Sequence, residues 1–134
     1  VGRVEDAIVE FFTARGEGIA AAYLFGSQAR GTANAASDIE VAILFSHDRP
    51  SGLDSLALDI EDDLRAKLKK PTQLLVLNHA PVDVVHRVLQ DGILLVNSNP
   101  SLRIRFEVKA RNEGLSGYSG PRAWNSAECV AFLA

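Results

Sequence analysis

Asp38 and Glu40 stand on either side of Ile39 at the head of the apolar run Ile39–Phe45, IEVAILF. Successive side chains of an extended strand point to opposite faces, so the two acids share a face while Ile39 turns into a core. Two carboxylates held side by side repel each other unless a cation lies between them or one keeps its proton. A hard divalent ion such as Mg²⁺ is the usual partner. Gly26 and Ser27 close an earlier apolar run, Ile19–Phe25, and ten residues separate Ser27 from Asp38. A glycine there lets backbone approach a ligand, and the N–H groups of such a turn form a nest suited to a polyphosphate. Taken singly, these residues read as an ordinary turn and as solvated carboxylates at a strand end. Taken together, a metal pair and a phosphate nest at opposite ends of one strand–loop–strand unit favour a functional site.

The flanking pattern supplies the elements that must hold this unit. Val4, Ala7, Ile8, Phe11 and Phe12 repeat at helical spacing and predict an amphipathic helix ending near Gly16. The runs at 19–25 and 39–45 are short, almost wholly apolar and bounded by small residues, as expected of buried strands. Leu53, Leu56, Ile60, Leu64 and Leu68 predict a second helix, acidic early and basic late as the helix dipole prefers, which Pro71 stops. A third strand is expected over 72–77, a helix from Pro81 to Gln90 followed by Gly92, a short strand over 93–96, and a last helix opened by Ser98-Asn99-Pro100 and running to about Asn112. This alternation is an α/β domain with a small, largely buried mixed sheet flanked by helices.

Composition narrows the functions open to it. The chain has 134 residues, 47% hydrophobic and 23% charged, with 14 Lys+Arg against 17 Asp+Glu for a net charge of −3. That is one ordinary globular domain, and its mild acidity argues against a surface for duplex nucleic acid, which needs a basic stripe. Cys129 is the only cysteine, which leaves no disulfide framework and no multi-cysteine zinc site. No apolar run reaches the ~18–20 residues that cross a bilayer. The expectation is a cytoplasmic protein without a membrane segment.

The segment Leu24–Leu44, LFGSQARGTANAASDIEVAIL, resembles the minimal nucleotidyltransferases of the DNA polymerase β-like superfamily, and the order of elements resembles them from about residue 4 to 112. The segment Leu77–Leu95, LNHAPVDVVHRVLQDGILL, is similar to that family's connection from the third strand into the following helix. The resemblance implies the polymerase β-like fold, with a domain over 1–113 and an atypical tail over 114–134. It also implies that Gly26 and Ser27 hold the triphosphate of a nucleotide, that Asp38 and Glu40 bind two Mg²⁺ ions, and that Arg30 supports the loop or a phosphate. Members of this kind act as antitoxins paired with a helical HEPN protein, and some transfer AMP from ATP to a tyrosine of the toxin.

Two positions depart from the family pattern. The second carboxylate is usually Asp, and Glu40 is one methylene longer, which matters to an ion that demands ~2.0–2.1 Å contacts. The third carboxylate is expected on the third strand, where Gln73 stands instead. An amide cannot take a proton from an attacking hydroxyl and adds no charge to a two-metal site. Loss of a general base costs ~10²–10⁴-fold, which describes a slow enzyme rather than a dead one. The reading is therefore a nucleotidyltransferase-like domain with an attenuated site, the alternative being a catalytically degenerate module that neutralises its partner by contact.

The remaining signals have bland readings. His47, His79 and His86 show no metal-ligand spacing and read as surface or capping residues; Glu61-Asp62-Asp63, and Arg103, Arg105, Lys109 and Arg111, read as solvated helix faces. The tail GLSGYSGPRAWNSAECVAFLA is rich in small residues and weakly periodic, and its Trp124, Val130, Phe132 and Leu133 are available to pack on the domain or on a second copy.

Overall fold

The structure is a computed structural model that describes residues 4–15, 18–26, 38–46, 53–112 and 122–123. Helix α1 (Val4–Arg15) leads into strands β1 (Ile19–Phe25) and β2 (Ile39–Phe45). Helix α2 (Leu53–Leu68), β3 (Thr72–Val76), a 3₁₀ turn (Leu77–His79) and α3 (Val82–Asp91) follow, and then β4 (Ile93–Asn97), α4 (Pro100–Asn112) and a two-residue strand β5 (Arg122–Ala123). The sheet runs β3-β2-β1-β4-β5. β1 is antiparallel to both β2 and β4, while β2 pairs with β3 and β4 with β5 in parallel. All seven residues of β1 are buried, because the central strand is covered on both faces. Ile8, Val9 and Phe12 of α1 and Ile60 and Leu64 of α2 pack with Ile39, Val41 and Ile43 on one face. Val85, Val88 and Leu89 of α3 and Ala110 of α4 pack with Tyr23, Phe25, Ala42 and Leu44 on the other.

The ends of the elements show what the local pattern did not contain. β3 stops at Val76, one residue before its expected end, and the chain turns at Leu77–His79. The Asn78 side chain explains the stop. Its Oδ1 accepts from the Phe45 N–H at 2.9 Å and its Nδ2 donates to the Phe45 carbonyl at 3.1 Å, so a side chain completes the ladder where backbone would have done so. Asn99 begins α4 as expected, its Oδ1 accepting the Leu102 N–H at 3.2 Å with Pro100 at the first helical position. The strand at Arg122–Ala123, in a tail with no strand pattern, adds an edge beside β4.

α4 is not a uniformly solvated basic helix. Arg105, Lys109 and Arg111 are exposed, but Arg103 turns inward with its side chain 14% exposed. It donates to Glu107 Oε1 at 2.8 Å and to Asn97 Oδ1 at 2.9 Å. The other oxygen of Glu107 accepts from the Tyr23 hydroxyl at 2.8 Å. Glu107 and Tyr23 are both buried, so each polar group here relies on the others in place of water. Truncation should therefore be costly. Glu107→Ala is expected to lower the unfolding free energy by about 2–4 kcal/mol, since it removes the buried carboxylate that Arg103 and Tyr23 share; Tyr23→Phe should cost about 1 kcal/mol. Urea denaturation of the two variants checks both the values and their order.

Candidate functional site

The site residues come together because the end of β1 and the heads of β2 and β3 meet at one end of the sheet. Antiparallel pairing sets Phe25, the last residue of β1, opposite Glu40, near the head of β2. Parallel pairing then sets Glu40 opposite Gln73 of β3. The Ile39 N–H donates to the Pro71 carbonyl at 2.9 Å, tying the head of β2 to the chain entering β3. Ile39 is wholly buried, Asp38 is exposed and Glu40 is half-buried, as strand alternation requires.

Gly26 has φ of +75°, and a side chain added there would run into Glu40. A Cβ there would lie 1.8 Å from Glu40 Oε2 and 2.9 Å from its carboxyl carbon. The longer side chain of Glu40 thus lies directly over the bare α-carbon of Gly26. A left-handed φ costs a side-chain-bearing residue about 1–2 kcal/mol, so conformation favours glycine here, and any Cβ would also make the end of the Glu40 side chain shift. On the other side, Gln73 Nε2 donates a long hydrogen bond, 3.5 Å, to Asp38 Oδ2. Gly26, Asp38, Glu40 and Gln73 therefore form one cluster. Ser27 and Arg30, expected to serve phosphates, lie outside the described residues, as do His47 and the loop joining β1 to β2.

The donor set was tested against the ion that such a pair invites. Two carboxylates supply enough oxygen and charge to hold one hard cation, with water or phosphate completing its shell. Among the described residues no group of three or more His, Cys, Asp or Glu is placed to hold a metal. Residues 27–37, SQARGTANAAS, contain none of those types either. Among the described residues and that loop, the cluster offers two anionic ligands, which suit one divalent ion.

The comparisons with known proteins bear on this geometry. The sequence matches the family model "Polymerase beta, Nucleotidyltransferase" over residues 6–101. The chain belongs to this nucleotidyltransferase family. No curated protein sequence matches the chain at a significant level. Among solved structures, "the toxin-antitoxin with AMP-PNP" is similar with a TM-score of 0.69 and 23% identity over 81% of this chain and 85% of that one. The toxin–antitoxin MntA-HepT gives 0.62 and 20% identity over 82% and 83%. A tri-AMPylated Shewanella oneidensis HEPN toxin in complex with an MNT antitoxin gives 0.63 and 20% identity over 82% of each chain. At these identities the likeness is one of fold, the polymerase β-like nucleotidyltransferase fold implied by the family resemblance.

Two residues that hold this nucleotidyltransferase edge escaped the pattern. β3 is an edge strand, and α2 caps its free side: Arg65 Nε donates to the Thr72 carbonyl at 2.9 Å, and Glu61 Oε2 accepts the Leu74 N–H at 2.8 Å. Arg65 also pairs with Glu61 Oε1 at 3.1 Å. Glu61 is thus not part of a solvated face; with Arg65 it grips the strand on either side of Gln73. Its neighbour Asp63 pairs with Arg15 of α1. The i,i+4 spacing of Glu61 and Arg65 is the signal in the sequence, but such spacing alone reads as a surface pair. The nesting of Glu40 on Gly26 is open to a direct test. Gly18 has a similar φ of +67° with nothing within 4 Å of a Cβ. Gly18→Ala should cost only the backbone strain, about 1–2 kcal/mol. Gly26→Ala should cost more, and the excess should vanish in a Glu40→Ala background, as read from a double-mutant cycle in urea.

Proposed function

We propose that this chain is a nucleotidyltransferase-type antitoxin of the cytoplasm that pairs with a helical HEPN protein and slowly transfers AMP from Mg-ATP to a hydroxyl of that partner. The observation that carries the reading is the placement of Asp38 and Glu40 at the end of β1 and head of β2 beside Gly26, in a chain whose family is one of nucleotidyltransferases. The structural neighbours support the finer points: one contains AMP-PNP, and another pairs an MNT antitoxin with an AMPylated HEPN toxin. A divalent ion held by Asp38 and Glu40 would, when bound, offset the charge on the phosphates. Ser27 and Arg30 would bind the triphosphate, and Gly26 would keep the carboxylate of Glu40 in place.

In the transfer, the acceptor hydroxyl oxygen bonds to the α-phosphorus while the bond to the bridging oxygen breaks, and pyrophosphate leaves with that electron pair. The hydroxyl proton passes to water, because the amide of Gln73 has no basic site to receive it. This accounts for an attenuated rate.

One observation favours a second reading. Gln73 is a neutral amide where a base would stand, which suits a module that binds its partner and transfers nothing. Incubation with Mg²⁺, α-labelled ATP and a HEPN-type partner separates the two. Slow labelling of the partner is expected, lost with Asp38→Ala and raised ~10²-fold or more by Gln73→Asp, the usual worth of a general base. A stable complex that never becomes labelled, with binding indifferent to Asp38→Ala, would establish the module instead.

A further inference from the structure

Enzymes that transfer nucleotidyl groups with two metal ions hold them ~3.5–4 Å apart, which requires several anionic ligands between and around them. At this end of the sheet the ligands are Asp38 and Glu40, and the third position carries an amide that points its donor the wrong way. Gln73 Nε2, not Oε1, faces Asp38 Oδ2. The carboxylate oxygen sets that orientation, since an amide oxygen in its place would bring two acceptors together. A cation on the Gln73 side of Asp38 would meet the positive end of that amide dipole until the side chain turned, and even then would gain an oxygen but no charge. Among the described residues no other acid near β3 substitutes. Glu61, on the adjoining helix, has one oxygen on the Leu74 N–H and the other on Arg65, and it lies along the outer edge of the strand. The β1–β2 loop has no acid in its sequence, and Lys69 and Lys70 precede β3. Glu40 lies with its carboxylate on the Gly26 side, toward β1.

We infer that this site takes one divalent ion with its nucleotide rather than two, the ion lying between Asp38 and Glu40, with the Gln73 amide occupying the side where a second ion would bind. The inference rests on the nucleotide-binding reading above and specifies it. The single ion would hold the phosphates, and the acceptor hydroxyl would receive no help from a second one. On this reading nucleotide retention and transfer are separated, since the two acids that would hold the ion and its nucleotide are present and the group that would activate the acceptor is replaced by an amide.

Equilibrium dialysis of the full chain against Mn²⁺ and a non-hydrolysable ATP analogue, both assayed on the protein side, counts ions per bound nucleotide. The native chain should retain one Mn²⁺ per nucleotide, Gln73→Ala should also retain one, and Gln73→Asp should retain two. Two ions per nucleotide in the native chain would overturn the inference while leaving the nucleotide reading intact. So would an unchanged count in Gln73→Asp, or loss of the ion in Gln73→Ala, which would make the amide a ligand. Retention of neither nucleotide nor Mn²⁺ would sink the nucleotide reading and this inference with it. Gln73 is exposed on an edge strand, and the native count stands by itself as the primary readout.

Discussion

The parallel pairing of β2 with β3, in the register that sets Glu40 against Gln73, is the constraint on which the rest of the site depends. A slip of one residue would send every side chain of the strand to the opposite face, moving Gln73 into the core and Leu74 to the site. The register is held from both sides. Ile39 donates to Pro71 on the inner side, while Arg65 and Glu61 engage Thr72 and Leu74 on the outer side. The same two α2 side chains occupy backbone groups that an open edge would offer to another strand. One helix thereby protects the sheet and fixes the position of the residue that most distinguishes this site.

The two ends of β1 and β2 are built differently, which suits their roles. Toward the far end the ladder closes on Asn78, and the α4 face is stitched by Tyr23, Glu107, Arg103 and Asn97, a buried polar network with each member satisfied. At the near end the polar groups are left facing outward: Asp38 and Gln73 are exposed, and Glu40 rests on a bare glycine. Rigid backbone carrying under-coordinated carboxylates is the arrangement a ligand site needs, because the cost of bringing the acids together is met by folding before any ligand arrives.

Much of this was legible in the amino-acid sequence because the elements are short, apolar and sharply bounded. Strands Ile19–Phe25 and Ile39–Phe45 fall between small residues, and α2 and α4 start or stop beside Pro71 and Pro100. The shared face of Asp38 and Glu40 follows from strand alternation alone. What stayed hidden depends on partners far away in the chain. The early end of β3 needs Asn78 to find Phe45, and the inward turn of Arg103 needs Glu107 and Asn97 beneath it. Glu61 reads as surface until Leu74 is placed beside it. The accommodation of a Glu at position 40 also needs the antiparallel register that brings Gly26 under it, a relation between residues 14 positions apart. The weight of Gln73 came through family resemblance, since nothing local marks an edge-strand glutamine as a missing carboxylate.

The central claim is that two carboxylates and one amide make a site for a single ion. Anomalous diffraction at the manganese edge, from crystals grown with Mn²⁺ and a non-hydrolysable ATP analogue, tests it most directly. One peak is predicted, in contact with Asp38, Glu40 and the phosphates, with Gln73 Nε2 still facing Asp38. A second peak on the Gln73 side, or a bound nucleotide with no ion between the two acids, would contradict it.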